Sequence, residues 1–187
     1  MSLDHTIEAL LFAADEPLPL NALCNYTSCE RGAIQDGIIT LKQRLLESSG
    51  LQLIELAGGY RLETKGDYYQ MIKEMFQEKK ASRLSMAALE TLAMVAYKQP
   101  VTAVEIAEMR MVSSVSSILK NLLEKKLVKM AGRKKVVGRP MMYSTTKEFL
   151  IQFGLNNLRD LPSLDEFKSS YSEETQLPLE EGQSGHT

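Results

Sequence analysis

An apolar stretch running into a proline occurs twice in this 187-residue chain, and the two occurrences lie 83 positions apart. Ala9-Leu-Leu-Phe-Ala-Ala14 followed by Asp15-Glu-Pro17 answers Leu92-Ala-Met-Val-Ala-Tyr97 followed by Lys98-Gln-Pro100, and Leu23 falls on Ile106 at the same offset. With a shift of a few residues, Leu41 and Leu45 match Leu119 and Leu123, and Leu51 matches Leu127. A period near 80 is too long for a solenoid, whose repeats run to about 20–50 residues. The chain therefore reads as two tandem copies of one small domain.

In the first copy, Ile7, Leu10, Leu11 and Ala14 share a helical face, Leu20 to Tyr26 fits a short second helix, and Ile34, Ile38, Leu41 and Leu45 form the stripe of a third. After Ser48-Ser-Gly50 the period changes. Leu51 to Ala57 and Tyr60 to Lys65 flank Gly58-Gly59, whose freedom at positive φ suits a two-residue hairpin turn. Three helices followed by a hairpin is the plan of a winged helix. Tyr68 to Lys80 reads as a connecting helix with Tyr69, Ile72, Met75 and Phe76 on one face.

The second copy repeats the plan. Ser85 caps a helix with an apolar stripe of Met86, Leu89, Leu92, Ala93 and Ala96, and Pro100 drives Gln99 out of the helical region. Thr102-x-x-Glu105 is a capping box opening the second helix. A turn over Arg110 to Ser113 leads to a third helix with Val115, Ile118, Leu119, Leu122 and Leu123 inward. Leu127 to Ala131 and Met142 to Thr145 are strands around a wing, Gly132 to Met141, and Glu148 to Phe153 is a short closing helix. The fold class expected is α+β, mainly helical, with two tandem winged-helix (helix-turn-helix) domains: 1–66, a connecting helix 67–82, 83–167, and a disordered acidic tail 168–187.

Charge divides the chain along the same lines. Residues 1–80 hold 8 basic and 12 acidic side chains, residues 81–150 hold 12 and 5, and residues 151–187 hold 2 and 7. Such unevenness suggests modules with different partners. The longest apolar run, Ala9 to Ala14, is far short of the roughly 20 residues a membrane helix needs, and acidic residues precede it where a secretory signal would be basic. A cytoplasmic chain with no membrane partner is expected.

Catalysis finds little footing. Nucleophile elbows, phosphate-binding loops and His-x-x-x-His pairs are missing from the sequence. Cys24, Cys29, His5 and His186 have no paired ligand spacing, so no metal or other cofactor is expected. Binding has more support. From Lys120 to Arg139 eight basic residues face the single Glu124, and Arg133, Lys134, Lys135 and Arg139 on the wing are candidates for weak, non-specific contact with a DNA backbone, neutralising about four phosphates. The outward residues of the third helix (Ser113, Ser116, Ser117, Lys120, Asn121, Glu124) offer few side chains suited to reading base edges. Seven of the ten methionines fall between residues 81 and 150. Met109, Met111, Met141 and Met142, with Arg133 and Arg139 beside them, are candidates for a protein-binding surface, because flexible thioethers suit adaptable contacts. Ile7, Leu10, Leu11 and Phe12 put apolar groups on more than one side of the first helix and are candidates for a dimer surface.

Several motifs in one order resemble the segregation and condensation protein B family: Ile7-Glu-Ala-Leu-Leu-Phe-Ala13, Ala88-Leu-Glu-Thr-Leu-Ala93, Ala96-Tyr-Lys-Gln-Pro100, Gly138-Arg-Pro140, Tyr143-x-Thr-Thr146, Phe149-Leu150 and Phe153-Gly-Leu155. The resemblance covers about residues 5–167. It implies two winged-helix domains in a homodimer and a non-catalytic adaptor role. The partners it implies are the kleisin ScpA and, through ScpA, the SMC ATPase of chromosome condensation and segregation, on the nucleoid. One departure stands out: the family usually has Arg-Gly-Val where this chain has Arg110-Met111-Val112. A small DNA-binding regulator acting through the second wing is the alternative.

Overall fold

The computed structural model describes residues 2–76 and 84–163. It has mixed helix and strand, with helices predominating, in two winged-helix units of matching plan. The first holds α1 (Leu3–Ala13), α2 (Leu20–Thr27), α3 (Arg31–Ser48) and the hairpin β1 (Leu51–Leu56) to β2 (Gly59–Thr64). A 3-10 turn at Gly66–Tyr68 leads into α4 (Tyr69–Met75). The second holds α5 (Met86–Lys98), β3 (Val101–Thr102), α6 (Ala103–Met109), α7 (Ser116–Glu124), β4 (Val128–Arg133), β5 (Met141–Thr145) and α8 (Lys147–Gln152).

Each unit closes its own core. In the first, Ile7 and Leu11 of α1 meet Leu23 of α2, Ile34, Ile38, Leu41 and Leu45 of α3, and Leu53 of β1. Gly37 lets α1 and α3 approach, since a Cβ there would lie 2.7 Å from Ile7. Arg44 ties the same helices at the rim, bonding to Asp4 at 3.1 Å and to Glu8. In the second, Ala88, Leu92, Val95 and Ala96 of α5 pack with Ile106, Val115, Leu119, Leu122, Leu127 and Phe149. Strand order there is β3-β5-β4, all antiparallel, with Val101 opposite Tyr143 and a bulge in β4 between Met130 and Arg133.

Several expectations need correction. Ile7 and Leu11 lie in the first core at 0% and 3% exposure, packed within their own unit; of the four residues expected at a dimer surface, Phe12 (80% exposed) and half-buried Leu10 remain at the surface of α1. On α5 the inward face is turned from the expected one. Met86, Leu89 and Ala93 are exposed, while Thr91 is fully buried. That polar residue is tolerated because its hydroxyl donates to the Ala87 carbonyl at 2.8 Å and accepts from Arg110 at 3.1 Å. The connecting helix stops at Met75, and of its expected face only Ile72 is half-buried. Residues 77–83 and the acidic tail 168–187 lie outside the described residues.

Candidate partner-binding surfaces

The capping box at Thr102 builds the first of these surfaces. Glu105 accepts the Thr102 N–H at 2.9 Å and its hydroxyl at 2.8 Å, while the Glu105 N–H donates back to the Thr102 hydroxyl at 3.3 Å. This starts α6 at a defined angle. At its other end Arg110 holds Glu90 at 2.8 Å and the Thr91 hydroxyl, pinning α6 to α5. Its two terminal nitrogens are thereby occupied within the unit, while its buried Nε has no hydrogen-bond partner among the described residues. Met111 follows at φ +54, the left-handed region, and is 94% exposed.

Between α6 and the start of α7 lies an open groove of about 390 Å³. Val104, Ala107, Met111, Val112 and Val115 give it apolar walls, with Glu108 and Ser113, Ser114 and Ser116 at its polar edge. The methionines singled out in the sequence do not form one patch. Met111 lines this groove, whereas Met109, Met141, Met142, Arg133 and Arg139 do not. Met109 is exposed at the end of α6; Met141 and Met142 are half-buried in β5, paired with Arg133 and Thr102.

The wing carries the second surface. Lys134 N–H meets the Pro140 carbonyl at 2.9 Å and closes a loop in which Gly138 and Arg139 both take positive φ. Arg133 reaches the Arg139 carbonyl at 3.2 Å. The Lys134 ammonium is paired with the Glu105 carboxylate, and that contact, with the Thr102 N–H, holds the Glu105 carboxyl down at about 2. Arg133, Lys135 and Arg139 point to solvent around Val136 and fully exposed Val137. The four wing cations expected from sequence are thus three outward ones and one engaged with Glu105. On the first unit Phe12 of α1, Tyr26 of α2, and Ile39 and Leu46 of α3 stand exposed, the last two being two turns apart on α3.

Residues 5–164 match the family model described as segregation and condensation complex subunit ScpB. The chain belongs to the ScpB family. It is 42% identical over 171 residues to segregation and condensation protein B of Clostridium tetani, covering 90% of this chain and 89% of that one. To that of Geobacillus thermodenitrificans it is 43% identical over 163 residues, with 86% and 78% covered. Among solved structures, ScpB from Mycobacterium tuberculosis is 29% identical over 82% of this chain and 95% of that one, at a TM-score of 0.39. A dimer of a ScpB N-terminal domain complexed with ScpA peptide is 30% identical over 41% of this chain and 94% of that one, also at 0.39. Family membership makes the chain a subunit of an SMC-type complex for chromosome segregation and condensation. Among the described residues no helix is long and apolar enough to cross a membrane.

Sequence reasoning did not find Val104 and Val112, because they sit at positions that in an isolated helix-turn-helix read as ordinary packing. Nor did it find the Lys134 pairing, which joins residues 29 apart.

Proposed function

We propose that this protein is a non-catalytic, dimeric adaptor that binds the kleisin ScpA and through it the SMC ATPase, in the cytoplasm on the nucleoid. The division into domains 1–66 and 83–167 belongs to the same reading. The observation that carries it is the distribution of exposed apolar side chains. Each unit has a closed core of its own, yet Phe12, Tyr26, Ile39 and Leu46 lie outside the first and Val104, Met111 and Val112 outside the second. Val104, Met111 and Val112 line one groove, and a contiguous exposed apolar surface of that kind marks contact with other proteins. The first set is assigned to the dimer. The second is assigned to an amphipathic ScpA segment lying in the α6–α7 groove, with Met109, Met141, Met142, Arg133 and Arg139 as further candidate contacts around it.

The test is a calorimetric titration of the full chain with ScpA. Met111→Asp together with Val104→Asp is expected to weaken binding at least tenfold while leaving the melting curve of the protein within a few degrees of native. Native affinity in that folded variant would remove the groove from the ScpA site.

A second reading is supported by the wing. Three outward cations around an exposed apolar tip suit weak, sequence-independent contact with duplex DNA. Binding of this protein to arbitrary duplex without ScpA, strongly weakened by salt, would favour it.

A further inference from the structure

Among the described residues, several polar bonds join the two units, and one side chain makes two of them. Asn156 follows α8 in the second unit. Its Nδ2 donates to Glu55 at 3.0 Å, and its Oδ1 accepts the Gly58 N–H at 2.7 Å. Next to it the Leu155 carbonyl accepts the Ala57 N–H at 3.0 Å. Ala57 and Gly58, and not the expected Gly58-Gly59, are the turn of the first hairpin, at φ +50 and +75, and both of their N–H groups are directed into this contact. Lys147 adds an ion pair to Glu16 at 3.1 Å, between exposed side chains and therefore weak.

The Asn156 loop is held firmly to its own unit. Gly154 at φ +67 turns the chain away from α8, and the Leu155 N–H returns to the Leu150 carbonyl at 2.9 Å. The N–H groups of Asn156 and Asn157 both meet Asp160, at 3.0 and 2.9 Å. On the facing unit a carboxylate that only accepts lies beside a backbone N–H that only donates. An amide side chain satisfies both at once. An aspartate would face Glu55 charge to charge, and an alanine would leave both without this partner.

We infer that Asn156 is a latch, a positioning residue that fixes the second winged-helix unit on the first hairpin turn. Because the contact is polar and reachable by water, each of its hydrogen bonds is exchanged for solvation at small net change. Together with the Ala57–Leu155 bond, the Asn156 amide favours the latched arrangement, and its loss admits a released one.

The test uses the full chain with Cys24 and Cys29 replaced by alanine, spin-labelled at the exposed positions Gln43 and Asn121 and diluted in unlabelled protein. A narrow distance distribution is expected in the parent. Asn156→Ala should broaden it, as should Asn156→Asp, and adding Glu55→Gln to the latter should narrow it again, since glutamine donates to the new carboxylate. Circular dichroism melts of each variant establish that the units remain folded. A distribution already broad in the parent, one unchanged in Asn156→Ala, or a failure of Glu55→Gln to restore the folded Asn156→Asp variant would overturn the latch.

Discussion

Leu18 and Tyr60 exchange both of their backbone hydrogen bonds, Leu18 N–H to the Tyr60 carbonyl at 3.0 Å and Tyr60 N–H to the Leu18 carbonyl at 2.8 Å. The same offset that relates the two prolines carries this pair onto Val101 and Tyr143, which face each other in the second sheet. The approach is so close that a Cβ on Gly59 would lie 2.8 Å from the backbone of both Pro17 and Leu18. Gly59→Ala should cost about 1–3 kcal/mol in a denaturant titration. Gly32→Ala, with no neighbour within 4 Å, is the control and should not destabilise.

Met111 holds a left-handed backbone conformation with its side chain in solvent. Such a residue is strained by about 1 kcal/mol, partly offset in glycine by greater freedom of the unfolded chain. Met111→Gly should raise stability by up to about 0.5 kcal/mol, read as a shift in the denaturation midpoint. It should also weaken ScpA binding if the thioether enters the groove contact.

The Glu105 carboxyl is held at about 2 by Lys134 first and then by the Thr102 N–H, against an ordinary value of 4.5. Because the folded value is the lower one, the ionised form stabilises the fold fully above about pH 4.5 and loses that effect as pH falls towards 2. Since the side chain is more than a third exposed, solvent screening reduces the contribution to about 1 kcal/mol. Glu105→Gln should flatten this part of a stability-against-pH curve.

On α1, neighbouring apolar residues have opposite fates. Ile7→Ala should destabilise the first unit by about 2–5 kcal/mol through the cavity it leaves. Phe12→Asp should leave the melting curve of the unit nearly unchanged and instead shift the protein towards monomer in light scattering at micromolar concentration.

With Lys134 engaged by Glu105, about three wing charges face outward, so any affinity for duplex DNA should fall with salt at a log–log slope of roughly −3. Arg133→Ala, Lys135→Ala and Arg139→Ala should each lower that slope by about one in a fluorescence anisotropy titration. Lys134→Ala should change it least.

The plan of the fold was legible because its signals are local. The Thr102 capping box, the Ser85 cap and the stripes of α3 and α7 depend on neighbours three or four residues away, and periodicity reports those directly. The inward face of α5 escapes periodicity for a different reason: Thr91 is buried because Arg110, from the far end of α6, supplies its partner, and no pattern within α5 announces that. The same holds for Ile7 and Leu11. Periodicity marks apolar positions but does not say which of them meet the chain's own core and which face outward. At the candidate sites, residue type pointed to the wing and to Met111, while the pairing of Lys134 and the walls of the groove were set by tertiary contacts.

The two units differ most in their hairpins. The first ends in the two-residue turn Ala57-Gly58, already covered by Leu155 and Asn156, whereas the second opens into a loop from Lys134 to Pro140 that reaches into solvent. Duplication of a domain ordinarily doubles its valency. Here it has not: one copy's hairpin tip is consumed inside the chain, so each polypeptide presents a single outward wing. Two wings on one assembly therefore require two chains, and their spacing is set by the contact between chains and not by the repeat.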